Sequence, residues 1–210
     1  MSISRRGFIA AVFGLWVCVT LQIPPGQADE FTDGAQKFIS TLSDRAQKSL
    51  LIENITLKER QNRFRVLMLD TFDLNGVAKW VLGRYWRRAS RQEQQQYLNL
   101  FEEFIIATFT KRFKAYINAN LQISETTSRK SSAFVKTRIN RSSAKPIRII
   151  WRVKFTDGRY QIIDIVVEGV SWIQTQRSEF VSVIRNSGGK VSGLIEALDK
   201  KIAFLGSSAS

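Results

Sequence analysis

The chain has no histidine and a single cysteine, Cys18, among its 210 residues. Cys18 lies in an N-terminal segment that we expect to be removed, so the mature domain would contain neither residue type. These absences exclude disulfides, thiol nucleophiles, imidazole general bases and the usual ligand sets for zinc, haem and copper. The sequence therefore predicts no metal site and no cofactor, and it leaves carboxylates as the main groups for acid–base chemistry.

A long hydrophobic run is also absent. The apolar stretch Phe8–Leu21 follows Arg5 and Arg6, and Gln22 and a proline pair end it before Ala28. An uncleaved membrane anchor needs about 20 apolar residues. A charged start, a short apolar stretch and a small residue are instead typical of a cleaved signal peptide. We therefore expect cleavage after Ala28 and export to the periplasm.

The same segment bears on the export route and the number of domains. Ser4–Ile9 contains the paired arginines and is similar to the twin-arginine export pattern. Sec signals also carry positive charge there, so both routes stay open. Removing residues 1–28 leaves 182 of the 210 residues. That length suits one domain, residues 29–205, followed by a flexible tail at 206–210.

Acidic residues are too few to balance the basic ones. The formal charge is +14, and losing Arg5 and Arg6 lowers it to +12. Such a charge is typical of proteins that bind nucleic acid, but export would separate the protein from nucleic acid, and we predict no such partner. The charge instead favours anionic lipid head groups or acidic patches on envelope proteins. A simple solvated surface is the alternative.

Apolar residues spaced three and four apart predict helices at both ends of the domain. The first covers about residues 30–51. Thr56 and Ser90 begin capping boxes for the second helix and for the longest one, while Asp73 caps a short helix that ends at Gly83. Two further helices close the chain, with their apolar residues in the ranges Ile173–Ile184 and Val191–Ile202.

Between these helices the period changes to two. Ile147–Phe155 alternates apolar with basic residues, which is typical of a strand with one buried face. Asp157 and Gly158 turn the chain into Arg159–Glu168, which is apolar on both faces and is predicted to be central and doubly covered. Two weaker strands complete the sheet, Leu121–Ser124 and Ala133–Ile139. The predicted fold class is α+β, with a curved, mainly antiparallel four-stranded sheet packed by helices.

Several segments, in this order, resemble a known family. They are Phe72-Asp73-Leu74, Val81-Leu82-Gly83-Arg84-Tyr85-Trp86, Gly158–Ile165, Glu168-Gly169-Val170-Ser171 and Gln176-Arg177-Ser178-Glu179-Phe180. Together they are similar to the periplasmic phospholipid-binding component of the Mla lipid transport system, also called the toluene-tolerance auxiliary family. One branch of that family is associated with hopanoids.

The resemblance implies a fold similar to the nuclear-transport-factor-2 cone with extra helices. It also implies a carrier that shuttles phospholipid, or in the alternative a hopanoid, between two membranes. The implied partners are an inner-membrane ABC transporter complex and an outer-membrane lipoprotein and porin complex. The residues expected to line the lipid site are Trp80, Val81, Phe101, Phe104, Ile105, Phe109, Trp151, Val153, Ile163, Ile165, Val167, Phe180 and Val181; ordinary core packing is the alternative for each.

Four polar or turn residues of the resembling segments have their own expected roles. Arg177 could neutralise a head-group phosphate, although we favour a structural ion pair with Asp164 or Glu168. Gly169 is expected to serve the turn between the last strand and the next helix. Exposed basic and aromatic side chains are candidates for docking to partners, with a solvated loop as the alternative; they are Arg84, Tyr85, Trp86, Arg87 and Arg88.

An enzyme of the same cone shape is the competing hypothesis. A carboxylate base such as Asp164 and a phenol such as Tyr160 could together serve an isomerase or dehydratase. The two residues are four apart on a predicted strand, hence on one face but over about 12 Å apart. Because that distance is too long for one substrate atom, we predict no catalytic residues.

Overall fold

The computed structural model describes residues 25–110, 113, 116, 119–141 and 144–207. Most of the predicted signal peptide lies outside these residues, although the first helix already begins at Pro25, ahead of the predicted cleavage site. The helices are α1 Pro25–Ser49, α2 Leu57–Thr71, α3 Leu74–Leu82 with a 3-10 turn Gly83–Tyr85, α4 Arg91–Thr110, α5 Trp172–Asn186 and α6 Val191–Ser207. The strands are β1 Asn120–Arg129, β2 Ser132–Arg141, β3 Ala144–Thr156, β4 Arg159–Val167 and β5 Val170–Ser171.

The last helix extends beyond the predicted end of the domain. Gly206 and Ser207 belong to α6, although we assigned them to the tail, and residues 208–210 lie outside the described part. None of the helices in the described ranges combines the length and hydropathy that a membrane span requires.

The strands form one antiparallel sheet in the order β1-β2-β3-β4-β5. This confirms the α+β class but corrects the number of strands from four to five, because Val170 and Ser171 pair with the end of β4. The prediction that β4 is central is wrong, since β3 occupies the middle. β4 is nevertheless covered on both sides, because α1 and the α3 and α5 helices all contact it.

A bulge in β4 changes which of its side chains share a face. Arg152 on β3 lies opposite Asp164, and the next residue, Val153, lies opposite Ile162. Ile163 is therefore an extra residue on β4, and the alternation shifts by one at this point. As a result, Ile162 and Ile165 both pack against the α1 side of the sheet, whereas Asp164 faces the start of α5.

The predicted helix starts are confirmed with one difference between them. At Ser90, the hydroxyl accepts from the Glu93 amide at 3.2 Å, and the Glu93 carboxylate accepts from the Ser90 amide at 2.8 Å. Thr56 accepts from the Glu59 amide at 3.1 Å, but the Glu59 carboxylate pairs with Arg63 at 2.6 Å. The capping box is therefore complete at α4 and half formed at α2.

The buried apolar side chains form two cores. The helical core joins α2 to α6, and its largest members are Tyr97, Phe101, Phe104, Phe180, Met68, Leu82 and Ile184. The sheet core lies between the sheet and α1, and its buried members are Ala35, Ile39, Leu42, Leu50, Leu67, Ala133, Val135, Val153 and Ile162. Phe64 and Phe72 are half-buried and pack against both cores, so they mark the seam between them.

Candidate functional site

The sheet core is an apolar layer between α1 and the sheet. Ala35 and Ile39 of α1 face Ala133, Val135 and Val153 on β2 and β3, and all five side chains are almost completely buried. Alanine and valine on neighbouring strands have small side chains, so α1 can pack close to the backbone of the sheet. Of the two cores, this layer is the one to which strands β2, β3 and β4 contribute buried apolar side chains.

Aromatic side chains surround one end of this layer. The ring of Tyr160 stacks with Phe31 and Phe38 of α1 at centroid distances of 5.9 and 6.0 Å, and it contacts the Phe155 ring in a tilted arrangement at 4.7 Å. Gly34 makes the contact possible, because a Cβ on this residue would lie 2.0 Å from the Tyr160 hydroxyl oxygen. A glycine in the middle of a helix therefore serves close packing here, not flexibility.

A second group of rings lies at the seam between the cores. Phe64 on α2 meets Phe113 edge to face at 4.9 Å, and both are half-buried. Trp151 on β3 is also half-buried, and its indole N–H donates to the Thr137 hydroxyl at 3.0 Å. That hydroxyl donates in turn to the Ile149 carbonyl at 3.3 Å. The indole N–H of Trp151 and the hydroxyl of Thr137 are thus both hydrogen-bonded within the sheet.

The structure separates the predicted lining residues into two groups. Trp151, Val153 and Ile165 belong to or pack against the sheet core. Most of the others belong to or pack against the helical core: Val81, Phe101, Phe104, Ile105, Phe109, Phe180 and Val181. The prediction placed all of them around one wedge. They do not meet there, because α4 and α5 pack against α3 and α6 and not across the α1 side of the sheet.

Three predicted lining residues lie in neither core. Trp80 is 45% exposed and Val167 is 40% exposed. Ile163 is the extra residue of the β4 bulge and is half-buried. The bulge explains the error for Ile163, since an unbroken alternation would have placed it on one face with Ile165 and Val167. Ile165 and Val167 do share a face, but Val167 is the last residue of β4 and is exposed.

The sequence analysis missed most of the residues that form the α1 side of the sheet core. These are Ala35, Ile39, Leu42, Leu67, Ala133, Val135 and Ile162, with Phe31, Phe38 and Tyr160 at the rim. A signal for some of them was present, since Ala133, Val135 and Thr137 alternate along β2 and α1 has a clear apolar stripe. The periodicity of a segment shows which of its faces is buried, but it does not show which other element covers that face.

The predicted ion pair of Arg177 is wrong. The carboxylate of Asp164 accepts from the Ser171 hydroxyl at 2.7 Å and from the Ile173 amide at 3.3 Å, so it fastens the start of α5. Glu168 pairs with Arg148 at 2.9 Å. The guanidinium of Arg177 points the other way and donates to the backbone carbonyl of Trp80.

The enzyme hypothesis also placed Asp164 and Tyr160 on one face, and this is wrong. Tyr160 stacks on α1, whereas Asp164 binds the start of α5 on the other face of β4. The β4 bulge between them causes the difference. The two groups therefore cannot serve one substrate as a base and an oxyanion donor.

Glu168 and Gly169 form the tight turn between β4 and β5. Both have positive φ, 49° and 86°, and Gly169 supplies the conformation that was predicted for it. Glu168 adopts it despite its side chain, because its carboxylate accepts from the Arg148 backbone amide at 2.6 Å. That hydrogen bond and the Arg148 guanidinium lower the pKa of Glu168 below its ordinary value.

Asp73 connects the helices to the sheet. Its carboxylate caps α3 by accepting from the Gly76 amide at 3.0 Å and pairs with Lys154 on β3 at 2.6 Å. Burial alone raises the pKa of Asp73. The hydrogen bonds from Lys154 and Gly76, with the charges of Lys154 and Lys79, outweigh burial, so the pKa lies below its ordinary value.

The predicted docking segment is only partly exposed. Arg84, Arg87 and Arg88 are exposed, but Tyr85 is buried and Trp86 is half-buried. The two aromatic side chains pack against the helical core, which corrects the expectation that they are free for a partner. Among the described residues, histidine, cysteine and carboxylate side chains form no cluster that could hold a metal ion.

Comparisons with known proteins agree with this architecture. The family model described as MlaC protein matches residues 34–200. The intermembrane phospholipid transport system binding protein MlaC of Haemophilus influenzae is 23% identical over 141 residues, which cover 63% of this chain and 66%, just under two thirds, of that protein.

A solved structure shows the same fold. It is that of a phospholipid-binding protein from Ralstonia solanacearum in complex with a phospholipid, and it superimposes with a TM-score of 0.75 at 22% identity, covering 82% of this chain and 98% of that one. The family match spans α1 to α6, and therefore both cores and the sheet between them. On this ground the chain belongs to the MlaC protein family.

Proposed function

We propose that this protein is a periplasmic phospholipid carrier that binds its ligand between α1, the sheet and the seam of the two cores. The observation that carries the proposal is the family match over residues 34–200, which includes every buried member of the sheet core. The name of the Haemophilus influenzae relative, an intermembrane phospholipid transport binding protein, supports it. We further propose that the carrier exchanges lipid with an inner-membrane ABC transporter complex and an outer-membrane lipoprotein and porin complex.

The composition of the sheet core suits acyl chains. Its surface is apolar, and six half-buried rings pack against it: Phe31, Phe38 and Tyr160 at one end, Phe64 and Phe113 at the seam, and Trp151 on β3. Because Val135, Val153 and Ile162 are fully buried against α1, a lipid must separate α1 or the seam from the sheet to enter. We expect the half-buried rings to move, since they have the least packing to lose.

The energy of acyl-chain burial determines how such a carrier works. Each buried methylene contributes about 0.8 kcal/mol relative to water, so two chains of about 15 methylenes would hold a lipid by well over 15 kcal/mol. Release into water is then negligible. Transfer to a membrane or to another apolar cavity costs little, because the hydrocarbon passes between two dry sites. Loading and unloading should therefore take place only in contact with a partner.

The direct test is to identify what copurifies with the protein. We expect roughly one phospholipid per folded molecule after solvent extraction and mass spectrometry, because an opened apolar site is poorly filled by water. If hopanoid copurified in place of phospholipid, the protein would still be a lipid carrier, but its ligand would be a hopanoid. Protein that carries neither, and that acquires neither from vesicles, would contradict the proposal.

A matched pair of substitutions locates the site. Ile165 and Ile195 are both half-buried; the first packs against the sheet core and the second against the helical core. We expect Ile165→Trp to lower bound lipid severalfold while the stability of lipid-free protein changes little, because tryptophan fills ligand space. Ile195→Trp should lower stability by about 1 to 3 kcal/mol through overpacking and leave lipid per folded molecule unchanged. The reverse pattern would place the ligand among the helices.

A further inference from the structure

A small cleft lies between the end of α3 and α5, in the helical part of the domain. It has a volume of about 260 Å³, and its walls are Leu82, Arg84, Tyr85, Arg177, Val181 and Arg185. Cavities for whole organic ligands start at about 300 Å³. This cleft is therefore suited to a small group and is too small for acyl chains.

The cleft concentrates positive charge without a counter-charge. Three of its walls are guanidinium groups, and Arg88 lies beside them over the Tyr85 ring at 5.9 Å. Across the residues that the structure describes, the ion pairs involve other cations, and Arg84, Arg88, Arg177 and Arg185 have no carboxylate partner. Four neighbouring guanidinium groups repel one another, so binding an anion there would relieve the repulsion.

Two of these arginines are held in place by the protein. Arg177 donates to the Trp80 carbonyl, and its guanidinium lies 4.8 Å from the centre of the Trp80 indole. It also fits against Gly83, where a Cβ would lie 2.6 Å from a guanidinium nitrogen.

Arg84 is positioned by Tyr85, since it donates to the Tyr85 hydroxyl at 3.2 Å. That hydrogen bond, with the charges of Arg84 and Arg185, lowers the pKa of Tyr85. Preorganised guanidinium groups lose little conformational entropy when they bind.

We propose that this arginine cleft binds the phosphate group of an anionic phospholipid in a membrane surface, and so orients the carrier on the membrane that contains its partner complex. Planar guanidinium groups match the oxygens of a phosphate. The exposed indole of Trp80, 45% accessible beside the cleft, is the side chain that membrane interfaces favour. The proposal rests on the carrier function, but the cleft is separate from the sheet core.

The test compares two double variants that remove the same charge. Arg84→Gln/Arg185→Gln changes the cleft, and Arg138→Gln/Arg159→Gln changes exposed arginines on the sheet. Binding is measured by cosedimentation with vesicles of phosphatidylglycerol and phosphatidylcholine in equal parts, and with pure phosphatidylcholine. A basic residue near an anionic surface contributes about 1 kcal/mol, so we expect the cleft variant to bind the mixed vesicles at least about tenfold more weakly and the sheet variant to change about twofold or less.

Three outcomes would overturn the proposal. Equal losses in the two variants would mean diffuse attraction of the whole basic surface. Binding of inorganic phosphate in the cleft, seen by NMR, without vesicle binding would assign the site to a free anion. Cleft-dependent binding of poly-glutamate without vesicle binding would assign it to an acidic protein partner.

Two further measurements distinguish loss of the cleft from loss of charge, of folding or of bound lipid. Arg84→Lys/Arg185→Lys keeps the charge and loses the planar fork, so it should bind the mixed vesicles with intermediate affinity, and its thermal unfolding should match the parent. The lipid that copurifies with the Arg84→Gln/Arg185→Gln variant should stay unchanged. If the parent protein carries lipid but no form binds vesicles, this inference fails while the carrier function stands.

Discussion

The two cores of the domain bury different kinds of side chain. In the helical core, Tyr97 and Phe101 are fully buried and Phe180 nearly so. The buried part of the sheet core consists of smaller residues such as Ala35, Ala133 and Val135. Its aromatic side chains remain half-buried at the rim.

Because of this difference, we expect the two cores to have different roles. Large rings in full contact contribute most to the free energy of unfolding, because they remove the most apolar area from water. Half-buried rings that pack on small side chains of the sheet can move without leaving a large cavity. We therefore expect the helical core to hold the fold together and the sheet core to accommodate the ligand.

The largest expected effect comes from a ring in the helical core. Phe101 lies 5.7 Å from the Tyr97 ring and 6.2 Å from the rings of Trp172 and Phe180. Phe101→Ala should lower the free energy of unfolding by about 3 to 5 kcal/mol, because the rigid neighbours leave a cavity. Urea denaturation of lipid-free protein measures it, with the exposed Phe155→Ala as the control.

The opposite outcome would be that Phe101→Ala leaves stability unchanged and removes the bound lipid. That result would make the helical core the ligand site.

A buried arginine should have the next largest effect. Arg60 of α2 is 2% exposed and donates to the backbone carbonyls of Leu50 and, at 2.9 Å, Ile52. Arg60→Met should cost about 2 to 3 kcal/mol, because charge-assisted hydrogen bonds at the end of α1 are lost. Arg63→Met, on the same helix but partly exposed, should cost less than about 1 kcal/mol. Similar losses in the two variants, in denaturant titrations, would mean that Arg60 does not fasten α1.

Asp73 links the two regions and should show a pH-dependent effect. Asparagine caps helices as well as aspartate does, so Asp73→Asn isolates the Lys154 pair and should cost about 0.5 to 1 kcal/mol at pH 7. The folded-state pKa of Asp73 is lowered. The contribution is therefore present above the unfolded pKa of about 4 and is lost as the pH falls through the folded pKa. Unfolding free energies measured from pH 7 downward should converge for parent and variant, and a constant difference would contradict this origin.

The smallest effect is expected at the surface between α1 and α2. Arg45 and Asp70 pair at 2.5 Å, with about half of each side chain exposed. Solvent screening limits such a pair to about 0.5 kcal/mol or less, and salt should weaken it further. Arg45→Gln should therefore shift the denaturation midpoint only slightly at low salt and not at high salt. A loss as large as that of Arg60→Met would show that α1 is held from outside and not through its buried carbonyls.

Local features of the fold were predictable from the sequence. The starts of α2, α3 and α4 followed from Thr56, Asp73 and Ser90, because a cap depends on a hydroxyl or carboxylate three residues before an amide. The turn at Asp157 and Gly158 joined two strands as predicted. Gly169 also has the positive φ expected of a turn.

The site was predicted less well than the fold. Phe101 and Val153 were both recognised as apolar positions facing inward, but they belong to different cores. A helical stripe shows which face is buried and does not show what covers it. The role of α1 as the cover of the sheet was therefore missed, although its stripe was read correctly.

The sequence by itself determined the order and type of the elements apart from β5, the caps, the lack of histidine, and the family, since all of these depend on residue identity and near neighbours. The tertiary structure alone decided the division into two cores, the position of β4 beside β5, and the gathering of Arg84, Arg177 and Arg185 around one cleft. One extra residue in β4, Ile163, separated Asp164 from Tyr160. The physical reason is that strand register and helix packing depend on contacts between residues distant in sequence, which no local pattern encodes.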